Sequence, residues 1–233
     1  MDLREMIEES SRIVFFGGAG VSTESGIPDF RSQDGLYSLK HSVPPEKILS
    51  ADYFYAHTES FFEFYRERML PLWAKPNAAH EKLAEWERVG KLLAVVTQNI
   101  DGLHQKAGSK NVYELHGSIH RNTCLQCGKK YSAKEIAESV GVPRCACGGL
   151  IKPDVVLYGE PLDEKTVRGA VNAIAHADML IVAGTSLTVY PAAGMVDYFY
   201  GKHLVLINRD ETALDSRADL VLHEKIGEVF SKL

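Results

Sequence analysis

All four cysteines of this chain fall between positions 124 and 147. Cys124 and Cys127 enclose two residues, Cys145 and Cys147 enclose one, and seventeen residues separate the pairs. Two thiolate pairs at such spacing can close a tetrahedral zinc site of the ribbon type. The second pair departs from the usual two intervening residues, and Gly148-Gly149 directly after it supplies backbone freedom to bring both thiolates onto one ion. An ion with four thiolate ligands keeps no open position, so the zinc is expected to be structural and to do no chemistry. Pairing as two disulfides is the other use of four cysteines. It requires an oxidising compartment, whereas residues 1–11 carry Glu5, Glu8 and Glu9 before any apolar run and cannot form the core of an export signal. A cytoplasmic location is therefore expected.

A second group of residues suits phosphate. The apolar run Ile13-Val14-Phe15-Phe16 ends in Gly17-Gly18-Ala19-Gly20-Val21-Ser22, which reads as a buried strand, a tight turn and a helix beginning near Val21. Glycines let a backbone approach a ligand closely, and the N–H groups of a helix start favour an anion. The full G-x-G-x-x-G spacing is absent, so an ordinary tight turn explains these residues equally well. The continuation Thr23-Glu24-Ser25-Gly26-Ile27-Pro28-Asp29-Phe30-Arg31-Ser32 adds a Gly-Ile-Pro break, then an acid, an aromatic and an arginine in succession. Placed over a phosphate site, such a loop could cover the far end of a dinucleotide and exclude water.

Amides and an acid cluster in Thr97-Gln98-Asn99-Ile100-Asp101-Gly102-Leu103-His104, after the apolar run of residues 92–96. Ligands of open α/β sheets bind at the carboxyl ends of strands. A turn that caps the next helix through Asp101 uses the same residues. Farther on, Glu114-Leu115-His116-Gly117-Ser118 sets a histidine before a glycine. A neutral imidazole can serve as general base, but the chain holds nine histidines and none is privileged by its type alone. The stretch Ile151-Lys152-Pro153-Asp154-Val155-Val156-Leu157-Tyr158-Gly159-Glu160 reads as a strand closed by a turn.

The elements that must position these groups follow from the apolar pattern. Short apolar runs at residues 12–16, 92–96, 179–183, 204–207 and 220–222 are separated by helix-like stretches such as 78–89 and 163–175. Strands alternating with helices imply a parallel sheet covered on both faces, a doubly wound, Rossmann-like α/β domain. Two segments break the rhythm. Residues 50–70 are aromatic and charged with helical periodicity, and residues 122–150 are rich in Cys, Gly and Lys and too poor in apolar residues to fold without a staple. The expected division is a dinucleotide domain from residues 1–38, 77–120 and 153–233, with a helical insertion (39–76) and a zinc ribbon (121–152) forming a smaller lobe. The chain has 233 residues, 45% hydrophobic and 24% charged, enough for one core plus an appended module. A net charge of −5 suits neither a nucleic-acid backbone nor an anionic membrane surface. No apolar run approaches the ~20 residues of a membrane helix.

Taken in order, these motifs resemble the sirtuins over residues 13–226, nearly the whole chain. Gly18-Ala19-Gly20-Val21-Ser22 through Gly26-Ile27-Pro28-Asp29-Phe30-Arg31 resembles the first sirtuin signature. The resemblance implies that Gly18, Ala19, Gly20, Thr23 and Arg31 contact NAD while Phe30 shields the nicotinamide side. It implies that Gln98, Asn99 and Asp101 hold the nicotinamide ribose and amide, with Ile100 against the ring, and that His116 is the catalytic histidine. It places Gly184, Thr185 and Ser186 at phosphate, Asn208 at the adenine-side ribose and Ile226 near the adenine. Val156, Tyr158, Gly159 and Glu160 match the stretch that lines the acyl-lysine tunnel and pairs with substrate backbone, Tyr158 standing where an aromatic without a hydroxyl is more common. His80, His104 and His120 are read as structural.

The implied activity is NAD-dependent removal of acetyl groups from lysines of other proteins, releasing nicotinamide and O-acetyl-ADP-ribose. Other acyl groups, and ADP-ribosyl transfer to protein, are the neighbouring possibilities. A non-enzymatic sensor of NAD or ADP-ribose has no need of Asn99, Asp101 and His116 together. Sirtuins that accept succinyl groups carry Tyr-x-x-Arg in the helical insertion, a pattern shown by Tyr65-Arg66-Glu67-Arg68. Counted back from Pro76-Asn77, the expected tyrosine falls on Phe62 and the arginine on Tyr65, about one helical turn away. Tyr65 and Arg68 are therefore expected on a solvated face, with acetyl preferred.

Overall fold

The computed structural model describes residues 1–30, 35–36 and 43–233. The chain starts with α1 (Leu3–Glu9), whose first turn is closed by a reciprocal cap: the Asp2 carboxylate accepts from the Glu5 N–H and the Glu5 carboxylate from the Asp2 N–H. Next comes β1 (Ile13–Gly17), buried along its whole length. A 3-10 helix (Ala19–Ser25) follows where an α-helix was expected from Val21, and Gly26 ends it at φ 83°. The insertion consists of α2 (Pro45–Ile48), α3 (Ala51–Ala56), α4 (Thr58–Phe64) and a π-helical turn (Tyr65–Met69).

Then α5 (Ala78–Arg88) leads into β2 (Leu92–Thr97), α6 (Leu103–Ala107) and β3 (Val112–Glu114). The ribbon region holds β4 (Gly117–Cys124), β5 (Lys130–Tyr131), α7 (Ala133–Ala137) and β6 (Ile151–Val155). The last part is α8 (Glu164–Ala175), β7 (Met179–Ala183), a 3-10 helix (Ala192–Tyr198), β8 (His203–Ile207), β9 (Leu220–Leu222) and α9 (Ile226–Phe230). No described helix is long and apolar enough to cross a membrane.

Among the described residues the large sheet is parallel and ordered β3-β2-β1-β7-β8-β9. The order reverses between β1 and β7, which opens a crevice at the carboxyl ends of those two strands. Register sharpens this. Gly17 pairs level with Thr97 on one side and Ala183 on the other, so the loops after β1, β2 and β7 emerge side by side. Alternation along β1 sends Ile13 and Phe15 into one core layer and Val14 and Phe16 into the other, as a sheet covered on both faces requires.

The smaller lobe is built on an antiparallel sheet, β5-β4-β6, that the sequence reading did not contain. Its core is shared: Phe54, Phe61, Phe62 and Tyr65 of the insertion pack with Ile119, Ile136 and Ile151 of the ribbon. The insertion and the ribbon are thus each poor folders alone and bury their apolar faces against one another.

The loops after β1 and β7 touch backbone to backbone. The N–H groups of Gly18 and Gly20 donate to the carbonyls of Ala183 (3.1 Å) and Gly184 (2.8 Å). A Cβ on Gly20 would stand 2.7 Å from Gly184 Cα, and one on Gly184, which sits at φ +58°, would stand 2.5 Å from the Val21 nitrogen. Gly184→Ala is expected to cost about 1–3 kcal/mol of stability, because both the left-handed backbone and the contact are lost to a methyl group. Thermal denaturation checks this, and an unchanged midpoint would refute the steric account.

Candidate active site

The three loops enclose one cavity of about 760 Å³, within the range of built ligand sites. On the side of β1 and β7 it is lined by Gly18, Ala19, Gly20, Thr23, Gly184, Thr185 and Ser186, and farther out by Asn208 and Ile226. In the middle stand Gln98, Asn99, Ile100, Asp101 and His116, under Phe30. On the side of the small lobe it is lined by Val156, Tyr158, Gly159 and Glu160. Every residue singled out from the sequence for cofactor, catalysis or substrate thus faces one space, except Arg31, which lies outside the described residues.

The glycine cradle owes its composition to the neighbouring loop as well as to any ligand. A Cβ at Gly18 would meet Thr185 Cβ at 2.7 Å, so the close approach that was expected toward a ligand is also an approach of loop to loop. Above it, Gln98 ties the crevice together: its N–H donates to the Gly17 carbonyl (2.9 Å) and its amide Nε2 donates to Thr185 Oγ1 (2.9 Å).

Beside it runs a short chain of side-chain bonds. Asn99 Nδ2 donates to Ser22 Oγ (3.1 Å), and Ser22 Oγ donates to Asp101 Oδ2 (2.7 Å). The other Asp101 oxygen accepts from the Leu103 N–H at the start of α6 (2.9 Å), so the cap read from the sequence is made by a carboxylate that also lines the cavity. Ser22 is buried and was not among the expected site residues, although the motif contains it. Its importance follows from meeting Asn99 and Asp101, which no spacing along the chain reveals. Asn77 fixes the same turn from behind, donating to the Val21 carbonyl (2.8 Å) and Ser25 Oγ (3.0 Å).

His116 lies just before β4. Its Nδ1 is 2.9 Å from the Gln98 carbonyl oxygen, which can only accept, so Nδ1 carries the proton and Nε2 keeps its lone pair for the cavity. Burial holds the imidazole below its usual pKa, opposed in part by that same bond to Gln98. The result is a neutral, oriented base. His80 and His104 are buried with their rings 4.7 Å apart, and burial likewise lowers both, His80 to about 4. His120 Nε2 donates to the Asp101 carbonyl (2.9 Å), which holds the loop from outside.

Residues 18–191 match the Sir2 family. The chain belongs to the Sir2 family. It is 60% identical to an NAD-dependent protein deacetylase of Clostridium acetobutylicum, over 98% of this chain and 95% of that one. It is 57% identical to a protein of the same description from Clostridium perfringens, over 99% and 96%. Among solved structures, a Sir2 protein with a p53 peptide and NAD+ superposes with a TM-score of 0.88 at 41% identity, covering 100% of this chain and 97% of that one. Another, holding 2′-O-acetyl-ADP-ribose and a deacetylated p53 peptide, superposes with a TM-score of 0.87 at 39% identity, covering 98% and 95%.

The Sir2-family chain brings its four cysteine sulfurs within 4.8 Å of one another. Cys124 and Cys147 sulfurs are 3.5 Å apart and Cys127 and Cys145 sulfurs 3.6 Å. A tetrahedron with zinc–sulfur bonds of ~2.3 Å has edges of ~3.8 Å, so the residues fit the ion, whereas a disulfide needs ~2.05 Å. The single-residue spacing of the second pair is absorbed by Gly148 at φ +86° and by paired backbone bonds, Gly148 N–H to Cys145 O and Cys145 N–H to Gly149 O. Gly149 has room for nothing larger, since a Cβ there would lie 2.6 Å from Cys124 Sγ. Backbone N–H groups of Cys127 and Cys147 hold the Cys124 and Cys145 thiols below their ordinary range, Cys145 to about 6, which favours the ligand form.

One expectation is overturned. Tyr65 is 0% exposed and lines the cavity rather than a solvated face, whereas Arg68, also on the cavity wall, stays exposed as expected. The turn that carries them, Tyr65–Met69, is π-helical, and the chain leaves helical form after it. A π turn carries an extra residue and shifts which side chains share a face. Tyr65 Oη has no hydrogen-bond partner among the described residues, and burial raises its pKa. The Arg68 guanidinium pairs with Glu67 at 2.8 Å.

Cys124→Ser should release the metal and destabilise the small lobe, because a structural zinc contributes folding free energy directly. Elemental analysis with thiol titration reads this out. Zinc content equal to that of the unsubstituted protein would show that Cys124 is not a ligand.

Proposed function

We propose that this chain is an NAD-dependent protein-lysine deacetylase that acts on acetylated proteins. The observation that carries the reading is one cavity in which an oriented neutral histidine shares the wall with the glycine loops after β1 and β7 and with the segment 155–160. NAD, as co-substrate, supplies a ribose carbon activated by its nicotinamide leaving group and the ADP-ribose that accepts the acetyl group. The acetyl oxygen bonds to that carbon as nicotinamide leaves, and His116 Nε2 removes the proton of the ribose hydroxyl that then attacks the acetyl carbon. Addition of one water lets lysine leave as the free amine with the acetyl group on ADP-ribose. Asn99 and Asp101, braced through Ser22, hold the nicotinamide ribose, and Ile100 packs against the ring. Gly18, Ala19, Gly20, Thr23, Arg31, Gly184, Thr185 and Ser186 take the phosphate region, and Asn208 and Ile226 the adenine side. Phe30 covers the reacting atoms, and exclusion of water there suppresses hydrolysis of NAD. Zinc held by Cys124, Cys127, Cys145 and Cys147 stays outside the reaction. A cytoplasmic location suits cysteines set for metal rather than for disulfides.

His116→Ala should lower turnover by ~10²-fold or more while NAD binding and the fold persist. In the unsubstituted enzyme the acid limb of kcat/KM should lie below about pH 6.5, because burial keeps the base unprotonated to lower pH than a free imidazole. Steady-state kinetics on an acetyl-lysine peptide, with O-acetyl-ADP-ribose followed by mass spectrometry, gives both results. Near-normal turnover of the variant would remove His116 from this role.

A second reading rests on Tyr65 and Arg68. A buried phenol without a partner, beside an arginine in the same cavity, offers a hydroxyl and a cation to an acyl group ending in a carboxylate. If that reading holds, Arg68→Ala and Tyr65→Phe should each cut kcat/KM on a succinyl-lysine peptide by ~10-fold or more, leaving acetyl-lysine within ~3-fold. Equal losses on the two peptides, or none, would return the pair to a packing role.

A further inference from the structure

One side of the cavity is walled by the segment 155–160, and the side chains of Lys152 and Glu160 fix its course. Lys152 of β6 points its ammonium at three acceptors: the Val155 carbonyl (3.0 Å), the Glu160 carboxylate (3.0 Å) and the Pro153 carbonyl (3.3 Å). These use all three protons of the group. The same Glu160 oxygen accepts the Leu157 N–H (2.9 Å), and the Glu160 N–H donates to the Leu157 carbonyl (2.9 Å), closing the turn. The two charged side chains are only 13% and 24% exposed, and the ammonium lies 6.0 Å from the centre of the Phe54 ring.

We propose that Lys152 and Glu160 are positioning residues that set the acyl-lysine strand of the site, with Glu160 acting through the backbone of its own segment rather than as a substrate contact. The inference rests on the deacetylase reading above. The held segment is also tied to its neighbours: Val156 N–H donates to the His116 carbonyl (2.9 Å), and Tyr158 N–H to the Leu49 carbonyl (3.0 Å). A peptide laid beside it must match the register fixed at Val155 and Leu157, and that register is fixed by the ion pair. The glycine loops hang on β1 and β7, whereas the hydrogen bonds of the pair stay within residues 152–160. Loss of the pair therefore acts on peptide and not on NAD. A lone half-buried charge left behind would pull toward water and drag the turn with it.

Lys152→Met keeps the length of the stem and its contact with Phe54 while removing the ammonium. We expect it to raise the KM for an acetyl-lysine peptide by ~10-fold and to weaken binding of a fluorescent form of that peptide equally, with kcat and the KM for NAD within ~2-fold. Lys152→Arg, which retains the donors, should recover most of the loss. The double variant Lys152→Met/Glu160→Gln should lose less than the product of the single losses, since both act through one device. Were Glu160 to touch the peptide, Glu160→Gln would weaken binding as strongly in the Lys152→Met background as alone, and the proposal falls. It also falls if Lys152→Met binds peptide normally, or if the KM for NAD rises in step. Should Lys152→Met not fold, Glu160→Gln decides, and unchanged peptide affinity in that variant overturns the inference. Turnover of acetyl-lysine peptide by the unsubstituted enzyme is measured first, so that failure of the deacetylase reading is seen separately.

Discussion

The contact on which the molecule depends is the one between two glycine loops at the centre of the large sheet. Gly18 and Gly20 lie so close to Gly184 and Thr185 that no side chain fits between them, and their N–H groups bond to the carbonyls of Ala183 and Gly184. Because β1, β2 and β7 are in register at Gly17, Thr97 and Ala183, this joint decides where the next residues of all three strands stand. Gln98 reaches the cradle on one side and Thr185 on the other. Its carbonyl then orients His116. A backbone joint at the sheet's reversal point thus sets the tautomer of a histidine that lies between β3 and β4, away from the joint in the chain.

The zinc cluster enters the same logic from the far end. A single strand, β4, begins directly after His116 and ends at Cys124. Gly117, at φ +76°, lies against β6 so closely that a Cβ would meet the Asp154 oxygen at 2.0 Å. Metal that holds Cys124 therefore also holds the strand on which the base is mounted, although it stands apart from the reacting atoms. The aromatic residues of α3 and α4 complete that support, since they and the ribbon share one core.

What was legible in the sequence was whatever is local. Glycines after an apolar run, cysteines in pairs and a Gly-Ile-Pro break declare their conformations within a few residues, and the parallel sheet follows from the runs between them. Hidden features depend on distance in the chain. Ser22 is an unremarkable residue of its turn until Asn99 and Asp101 are brought to it from about 80 positions away. The antiparallel sheet of the small lobe escaped because, although residues 151–160 read as a strand, its partner β4 lies far back in the chain and no local pattern declares the pairing. Tyr65 escaped for a different reason: its burial in the cavity wall lies on a π turn, Tyr65–Met69, which the residue pattern does not announce.

That widened turn makes chain length, and not only residue identity, a determinant of what the cavity holds. In a regular helix each residue turns the next by about 100°, so removing one residue at this point would swing Arg68 off the cavity wall. Such a deletion leaves α4 and its rings in place, because the surplus residue lies after Phe64 and before non-helical chain. Related enzymes could then diverge in acyl chemistry through insertion or deletion of a single codon, while the dinucleotide half of the cavity inherits unchanged.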